Sequence, residues 1–479
     1  MTSEANSSHK NETRAFADRI ADKRDSWIEL NSFYYEADFR YMRFLASEGL
    51  RVLDLGCGTG RLLHELRPSY GVGVDFSPRM IEVAKKNYPD LNFHVGDIES
   101  PDFLATLEGP FDVIVLSDTL GHLEDCMAVL DNLHQLCGPK TRIIIAYYSP
   151  IWEPILKLGQ WIGRRMPEKE MNWLSLSDIV RLLEISDFQF IKSEWRQLFP
   201  LRLFGLGSFI NWVFAPLPLI RRLCLRDYVV ARSLHHKEFE EPSSTVVIPC
   251  RNEKGNIETA VRTMPLFCKD LEIIFVEGHS QDGTWEEVLR VKEAYPDYDI
   301  KCFQQTGKGK ADAVWLGFDK ARGDILMILD ADLTVPPENL SKFYNVIADG
   351  KCEFLNGTRL IYPMDDDAMR FLNYWANNAF AVIFSFLLNQ TFTDTLCGTK
   401  VMSRSTYNEI VKNRAFFGDF DPFGDFDLIF GAAKLNKKIL EVPIRYASRS
   451  YGSTQISRFS DGWLLLKMVW FALFKFKVF

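Results

Sequence analysis

The stretch Val52-Leu-Asp-Leu-Gly-Cys-Gly-Thr-Gly60 constrains the fold most, because it joins a buried-strand pattern, Arg51 to Leu55, to a three-glycine turn and a helical stretch, Arg61 to Leu66. Glycines between strand and helix let the backbone approach a ligand closely and aim a helix N-terminus at it. About 270 residues further on, the apolar strand Asp324-Ile-Leu-Met-Ile-Leu329 ends in Asp330-Ala-Asp332. Two ligand signatures at strand ends so far apart call for two sheets. At 479 residues the chain is too long for one hydrophobic core and suits two or three domains.

Composition narrows the class. With 47% apolar and 25% charged residues the chain is globular rather than disordered. A net charge of -8 gives no reason to expect nucleic acid as a partner. The nine cysteines form no C-x-x-C pair and read as reduced thiols of a cytoplasmic protein. Residues 1–30 read as a polar segment without the apolar core of a secretion signal.

Three apolar tracts stand apart. Leu198 to Ile220 carries only Arg202 as a charge and is broken by prolines and glycines. Phe371 to Thr393 has no charged residue, and Trp463 to Phe479 holds Lys467, Lys475 and Lys477. A spanning helix needs roughly 20 mostly apolar residues, so the last tract is marginal in length and too charged. Its Trp, Phe and Lys content suits a helix lying in the bilayer interface; core packing is the alternative for all three.

In the first half, strand patterns at Gly71 to Asp75 and Phe93 to Asp97 each end in an acid, and Phe111 to Ser117 and Thr141 to Ala146 follow. Strands alternating with helices imply a doubly wound α/β sheet with its ligand at the carboxyl ends. Asp75 stands 19 residues after Gly56, where a ribose diol needs an acceptor, and Asp97 suits an adenine amine. This series resembles the class I S-adenosylmethionine-dependent methyltransferases, with a Rossmann-like domain expected over 31–197. The resemblance implies S-adenosyl-L-methionine as cofactor, held by Asp54, Gly56, Gly58, Gly60, Asp75, Asp97 and Ile98. His122, in Ser117-Asp-Thr-Leu-Gly-His122, falls where this family shapes its acceptor pocket. It reads either as a general base or as a locally hydrogen-bonded residue; Tyr35 either covers the cofactor or packs. Residues 198–243 read as apolar tract and linker.

In the second half, Thr245-Val-Val-Ile-Pro-Cys-Arg-Asn-Glu253, the strand Glu272 to Glu277, the basic loop Gly307-Lys-Gly-Lys310 and Asp330-Ala-Asp332 follow in order. The paired carboxylates fit a hard divalent cation bridging a diphosphate. Together with Gly357-Thr-Arg359, Asp394-x-x-Cys-Gly398 and Glu441-Val-Pro-Ile444, these segments resemble the GT-A glycosyltransferases of family 2, in the dolichyl-phosphate mannosyltransferase-like branch. That domain is expected over 244–461, with 462–479 as an apolar C-terminal helix at the membrane interface.

The resemblance implies that Pro249, Arg251, Glu253 and Glu277 surround the nucleoside and that Lys308 and Lys310 meet the phosphates. Asp330 would touch the nucleotide, and Asp330 and Asp332 would hold Mg2+ or Mn2+. Arg359 and Arg449 would bind the acceptor phosphate, with Asp394 and Asp427 lining the acceptor side. The chain departs from the pattern at Gly278, at Thr334 and at Gly452-Ser-Thr-Gln455, where a cationic phosphate contact is missing.

The expectation is a bifunctional transferase of polysaccharide biosynthesis, at the cytoplasmic face of a membrane or in the cytoplasm. It would move a sugar from a nucleoside diphosphate sugar to a polyprenyl phosphate with inversion and methylate an unknown acceptor. The alternatives are a soluble sugar or protein acceptor, for which Asp394 is the best base, and a non-catalytic first half.

Overall fold

The computed structural model describes residues 2–168, 172–362, 371–416, 426–446, 451 and 458–477. The chain divides into two compact units, Met1–His236 and Lys237–Phe479.

The first unit is built on strands β1 (Arg51–Leu55), β2 (Tyr70–Asp75), β3 (Asn92–Val95), β4 (Val113–Ser117), β5 (Arg142–Tyr148), β6 (Phe188–Arg196) and β7 (Arg226–Ser233). Their order is β3-β2-β1-β4-β5-β7-β6. The first five run parallel, while β7 lies antiparallel between β5 and β6. The chain reverses its winding between β1 and β4, and the crevice at such a switch point is where open α/β sheets bind ligands. Buried strands such as β5, apolar from Ile143 to Ile145, are covered on both faces, as parallel sheets require.

Two expectations change here. Residues 1–30, read as a polar segment, form the helix Thr2–Leu30. Residues 198–243, read as apolar tract and linker, contain β7, which is buried throughout and completes the first sheet.

The second unit has β8 (Ser244–Cys250), β9 (Leu271–Glu277), β10 (Asp299–Gln304), β11 (Ile325–Ile328), β12 (Phe354–Thr358), β13 (Lys400–Ser403) and β14 (Ile439–Pro443), in the order β10-β9-β8-β11-β13-β12-β14. Strands β8 to β11 pair in parallel, and β13 runs antiparallel between β11 and β12. The antiparallel strand brings the chain just before Lys400 alongside the carboxyl end of β11.

No helix among the described residues is long and apolar enough to cross a membrane. The helix Arg458–Phe476 buries Leu465, Met468, Ala472 and Phe476 at helical spacing and exposes Trp463, Leu466 and Trp470. The tail expected at the membrane interface therefore commits one face to packing within its own unit.

Candidate active sites

In the first unit the three turn glycines take left-handed φ values of 80°, 53° and 79° at Gly56, Gly58 and Gly60, a region side chains avoid. The space is as restrictive as the angle. A Cβ on Gly56 would lie 2.5 Å from Thr119 Oγ1, and one on Gly58 would lie 2.7 Å from Arg24 Nε.

A cavity of about 220 Å³ opens beside this turn, lined by Asp54, Gly56, Gly58, Asp75, Asp97, Ile98, His122 and Tyr35 among others. Gly60 stands apart from that lining, and a Cβ there would meet the Phe93 ring at 2.6 Å. Asp75 is buried and folded onto the turn, accepting from Gly58 N and Ser77 N at 2.9 Å each. Burial raises its carboxyl above the ordinary value, against the pull of those two amides.

Asp54 is buried with one oxygen lacking a hydrogen-bond partner among the described residues. Burial and the neighbouring Asp75 charge push its carboxyl up to about 7. A buried carboxylate left this way accommodates a cationic group of a ligand, because a positive charge restores its ionised form. The cavity thus fits a cofactor that carries an ammonium.

The helix Thr2–Leu30 supplies a wall that sequence reasoning missed. Its stripe of Phe16, Ile20, Arg24 and Ile28, spaced at one face of a helix, lines the cavity. Ser77 Oγ donates to Asp18 at 2.5 Å and Thr59 Oγ1 to Asp25 at 2.6 Å, pinning the helix over the turn. Lys10 Nζ sits 2.5 Å from Asp97 and 2.6 Å from Glu99, so the acid expected at adenine already holds a cation.

Arg226 on β7 was also missed. It is buried, donates through Nε to Asp38 at 2.9 Å and through Nη2 to Ser117 at 2.8 Å, and pairs with Asp118. His122 shares the cavity, and burial together with the Arg24 and Arg165 charges lowers its pKa despite Asp118 and Asp75, which favours the neutral imidazole. A neutral imidazole in that place can accept a proton.

In the second unit, Asp330 and Asp332 follow β11. Lys310, the first residue of the helix Lys310–Lys320, lies 2.7 Å from Asp330 Oδ1. Asp332 Oδ1 accepts from Thr334 N at 3.1 Å and Thr334 Oγ1 at 2.8 Å, so Thr334 orients the acid. A Cβ on Gly398 would fall 1.9 Å from Asp330 Oδ2, which is how the Asp394-x-x-Cys-Gly398 segment meets the pair of acids.

No group of three or more His, Cys, Asp or Glu that could hold a metal occurs among the described residues. Two hard carboxylates suit Mg2+ or Mn2+, which usually keep waters and substrate phosphates as their other ligands.

Arg359 follows β12 and is held by Asp394 through two parallel contacts, Nε to Oδ2 at 2.6 Å and Nη2 to Oδ1 at 2.8 Å. Asp394 is 0% exposed and also accepts from Asn377 Nδ2 at 2.8 Å and Leu396 N at 3.0 Å. Burial pushes Asp394 up, but Arg359 and Asn377 outweigh it and hold the carboxyl below the ordinary range. Asp394, expected to line the acceptor side and to be the best base were the acceptor a hydroxyl, has both carboxylate oxygens engaged with Arg359.

The remaining expected residues divide. Pro249, one residue before the end of β8, is half-buried, and Arg251 and Lys308 are exposed. Glu253 is buried and accepts from Asn256 at 2.7 Å. Glu277 is committed to its own turn, accepting from Ser280 N at 2.5 Å. Asp427 is buried in the helix Phe426–Lys434, 3.8 Å from Arg414. Arg449 and Gly452 to Gln455 lie outside the described residues.

Fold and sites together define a two-unit α/β protein of transferase type, with a cavity beside the glycine turn at the carboxyl ends of the first sheet and paired carboxylates after β11 in the second. Residues 30–193 match the family model "Methyltransferase domain", and residues 245–411 match "Glycosyl transferase family 2". The chain therefore carries a methyltransferase domain followed by a glycosyl transferase family 2 domain.

The second half is similar to dolichol-phosphate mannosyltransferase of Saccharomyces cerevisiae, 36% identical over 121 residues, 24% of this chain and 44% of that protein. The first is similar to magnesium-protoporphyrin O-methyltransferase of Rhodobacter capsulatus, 34% identical over 133 residues, 26% of this chain and 55% of that protein. Among solved structures, a mannosyltransferase from Pyrobaculum calidifontis in complex with GDP-Man and Mn2+ is 20% identical, covering 45% of this chain and 59% of that one, with a TM-score of 0.33. The chain thus spans about half the length of these curated relatives.

Proposed function

We propose that the second unit transfers one sugar, with inversion, from a nucleoside diphosphate sugar to a polyprenyl phosphate, and that the first methylates an acceptor of the same saccharide or lipid pathway. The single observation that carries this is the arrangement after β11 and β12. A lysine and two acids stand together at one strand end, and an arginine is locked in place by a fully buried aspartate at the other.

Asp330 and Asp332 would hold Mg2+ or Mn2+, which supplies charge to stabilise the departing diphosphate. Lys308 and Lys310 bind the donor phosphates, with Pro249, Arg251, Glu253 and Glu277 around the nucleoside. Arg359 uses Nε and Nη2 on Asp394, which fixes its plane and leaves the rest of the guanidinium for the acceptor phosphate, a role that Arg449 would share, with Asp427 on the acceptor side.

A phosphate monoester has a second pKa of about 6 and attacks as a dianion at neutral pH, so no base is needed. The commitment of Asp394 to Arg359 supports that acceptor over a hydroxyl, which would need a free carboxylate.

In the first unit Asp54, Gly56, Gly58, Asp75, Asp97 and Ile98 bind S-adenosyl-L-methionine, Gly60 closes the turn behind them, and His122 takes the proton of the methyl acceptor. Both reactions run at the cytoplasmic face of a membrane, to which the protein binds peripherally. Two relatives whose names include dolichol or undecaprenyl phosphate support the lipid acceptor.

The test is a screen of nucleotide sugars against polyprenyl phosphate, with and without Mn2+ and S-adenosylmethionine. Product formed equally well with the metal chelated, or only on soluble sugars, would overturn the reading.

A further inference from the structure

Ser149 N donates to Leu225 O at 2.9 Å and Trp152 Nε1 to Leu223 O at 2.8 Å, which lays residues 150–168 of the first unit alongside residues 198–225. The two segments share an unusual property. The helix Glu153–Trp161 buries no residue, and the helix Leu206–Val213 buries only Gly207. An apolar helix face on a soluble domain is ordinarily turned into the core. Here it is turned outward, with Trp161 84%, Leu219 85% and Phe204 111% exposed, and Ile155, Phe209 and Trp212 more than half exposed.

The outward arrangement is built into the backbone. Leu203 and Phe204 adopt φ values of 35° and 52°, a region that is costly for bulky side chains and persists only where the surroundings enforce it. Asn211 closes the loop around them, donating through Nδ2 to Phe199 O at 2.7 Å and accepting from Phe199 N at 2.8 Å. Gly207 adds to this, since a Cβ there would lie 1.8 Å from Leu201 O. Polar clamps thus hold the loop while its apolar side chains face away.

Charge distinguishes the possible occupants. The exposed charged side chains of these two segments are Lys157, Arg164, Arg202 and Arg222, all cations on a chain of net charge -8. Glu153 is held by Lys157 at 2.6 Å and Glu168 by Arg165 at 2.6 Å. A symmetric contact between two copies would set these cations against themselves. An anionic bilayer surface instead accepts Trp, Phe and Leu at the acyl boundary and Lys and Arg among the headgroups.

We infer that this face seats the methyltransferase unit on an anionic bilayer, independently of the C-terminal tail. The inference rests on the peripheral membrane association proposed above and specifies its surface. It has a consequence for the methyl acceptor. Arg165 stacks over Tyr148 at 4.8 Å, and Met166 and Glu168 line the methyl-donor cavity, so the segment that meets the bilayer also walls that cavity. A lipid-linked acceptor would reach it along this segment.

Flotation of the full chain with vesicles tests this, comparing phosphatidylcholine alone with a two-to-one mixture of phosphatidylcholine and phosphatidylglycerol. The wild type is expected to float with the mixed vesicles. Partitioning should fall about tenfold or more in a Phe204→Ser, Trp212→Ser, Leu219→Ser variant that still binds S-adenosylhomocysteine. A second variant, Arg202→Ser with Arg222→Ser, leaves the apolar groups in place and should lose the preference for the anionic mixture. A Trp463→Ser, Trp470→Ser variant of the tail should float as the wild type does.

Flotation lost only in the tail variant, or unchanged in both surface variants, overturns the inference and leaves the membrane reading standing. A wild type that stays at the bottom overturns both. Self-association abolished by the surface variants, without flotation, makes the face a contact between copies and likewise overturns the inference.

Discussion

Lys310 Nζ lies 2.7 Å from Asp330 Oδ1, so the lysine assigned to the donor phosphates and the aspartate assigned to nucleotide and metal form one ion pair. Burial pushes Asp330 up, but the Lys310, Lys400 and Arg359 charges outweigh it and keep the acid ionised below its ordinary value. A donor diphosphate arriving with a cation would separate the pair, phosphate to Lys310 and cation to Asp330. Lys310→Met is therefore expected to raise KM for the nucleotide sugar more than it lowers kcat, and Asp332→Ala to abolish transfer while leaving adenosyl-donor binding intact. Steady-state kinetics with Mn2+ in excess measures both, and an unchanged KM in Lys310→Met would assign that lysine to Asp330 alone.

Gly398 gives a steric test of the same site. A methyl group there would occupy space 1.9 Å from Asp330 Oδ2 and 2.6 Å from Lys310 Nζ, so the acid must move. Displacements of about 1 Å in a reacting geometry cost on the order of a hundredfold in rate. Gly398→Ala is expected to lose sugar transfer on that scale with little change in melting temperature. Wild-type kinetics in this variant would place Asp330 outside the reacting geometry.

Asp394 and Arg359 make a stability prediction with a sign. Removing one partner of a buried pair costs about 3–5 kcal/mol, because it strands the other charge. Asp394→Ala is expected to approach that loss in denaturant unfolding. Since the folded-state carboxyl lies below its ordinary value, its stabilisation is complete above the unfolded value of about 3.9 and disappears as pH falls through the folded value. The variant should therefore lose part of the acid-side slope seen in the wild type. An identical slope would show that Asp394 is not the group that titrates.

The strand ends were legible because local chemistry dictates them: positive φ at Gly56, Gly58 and Gly60, a carboxylate as the last residue of β2, and a pair of carboxylates just past β11. What was not legible depends on partners distant in sequence. Strand β7 hid behind the charges of Arg226, Asp227 and Arg232, and Arg226 makes sense only beside Asp38, 188 residues away. The N-terminal helix hid because Phe16, Ile20 and Ile28 are sparse in a polar segment, although their spacing already marks one helical face. For Asp394 the sequence shows a carboxylate but not that Arg359 and Asn377 surround it.

The N-terminal helix makes its own prediction. Phe16, Ile20, Arg24 and Ile28 wall the cavity, so a chain lacking residues 1–30 should bind S-adenosylhomocysteine about tenfold more weakly, roughly 1.4 kcal/mol. Calorimetry measures this directly. Binding at full strength without the helix would reduce it to an external brace held by Asp18 and Asp25.

Asp54 links the cofactor to pH. Its carboxyl is pushed up to about 7 by burial and by the Asp75 charge, so the folded chain without cofactor holds a proton that the unfolded chain has already released. Between the ordinary carboxylate value of about 4 and the folded value, rising pH therefore costs stability, and Asp54→Asn should melt higher than the wild type at pH 8. The ammonium of S-adenosylhomocysteine requires the ionised acid, so wild-type affinity should increase as pH climbs through 7, with proton release visible as a buffer-dependent binding enthalpy. Asp54→Asn should bind more weakly at pH 8 and show neither the pH dependence nor the proton release. A variant that kept both would move the titrating group to another residue of the cavity, with Asp75 and His122 the next to replace.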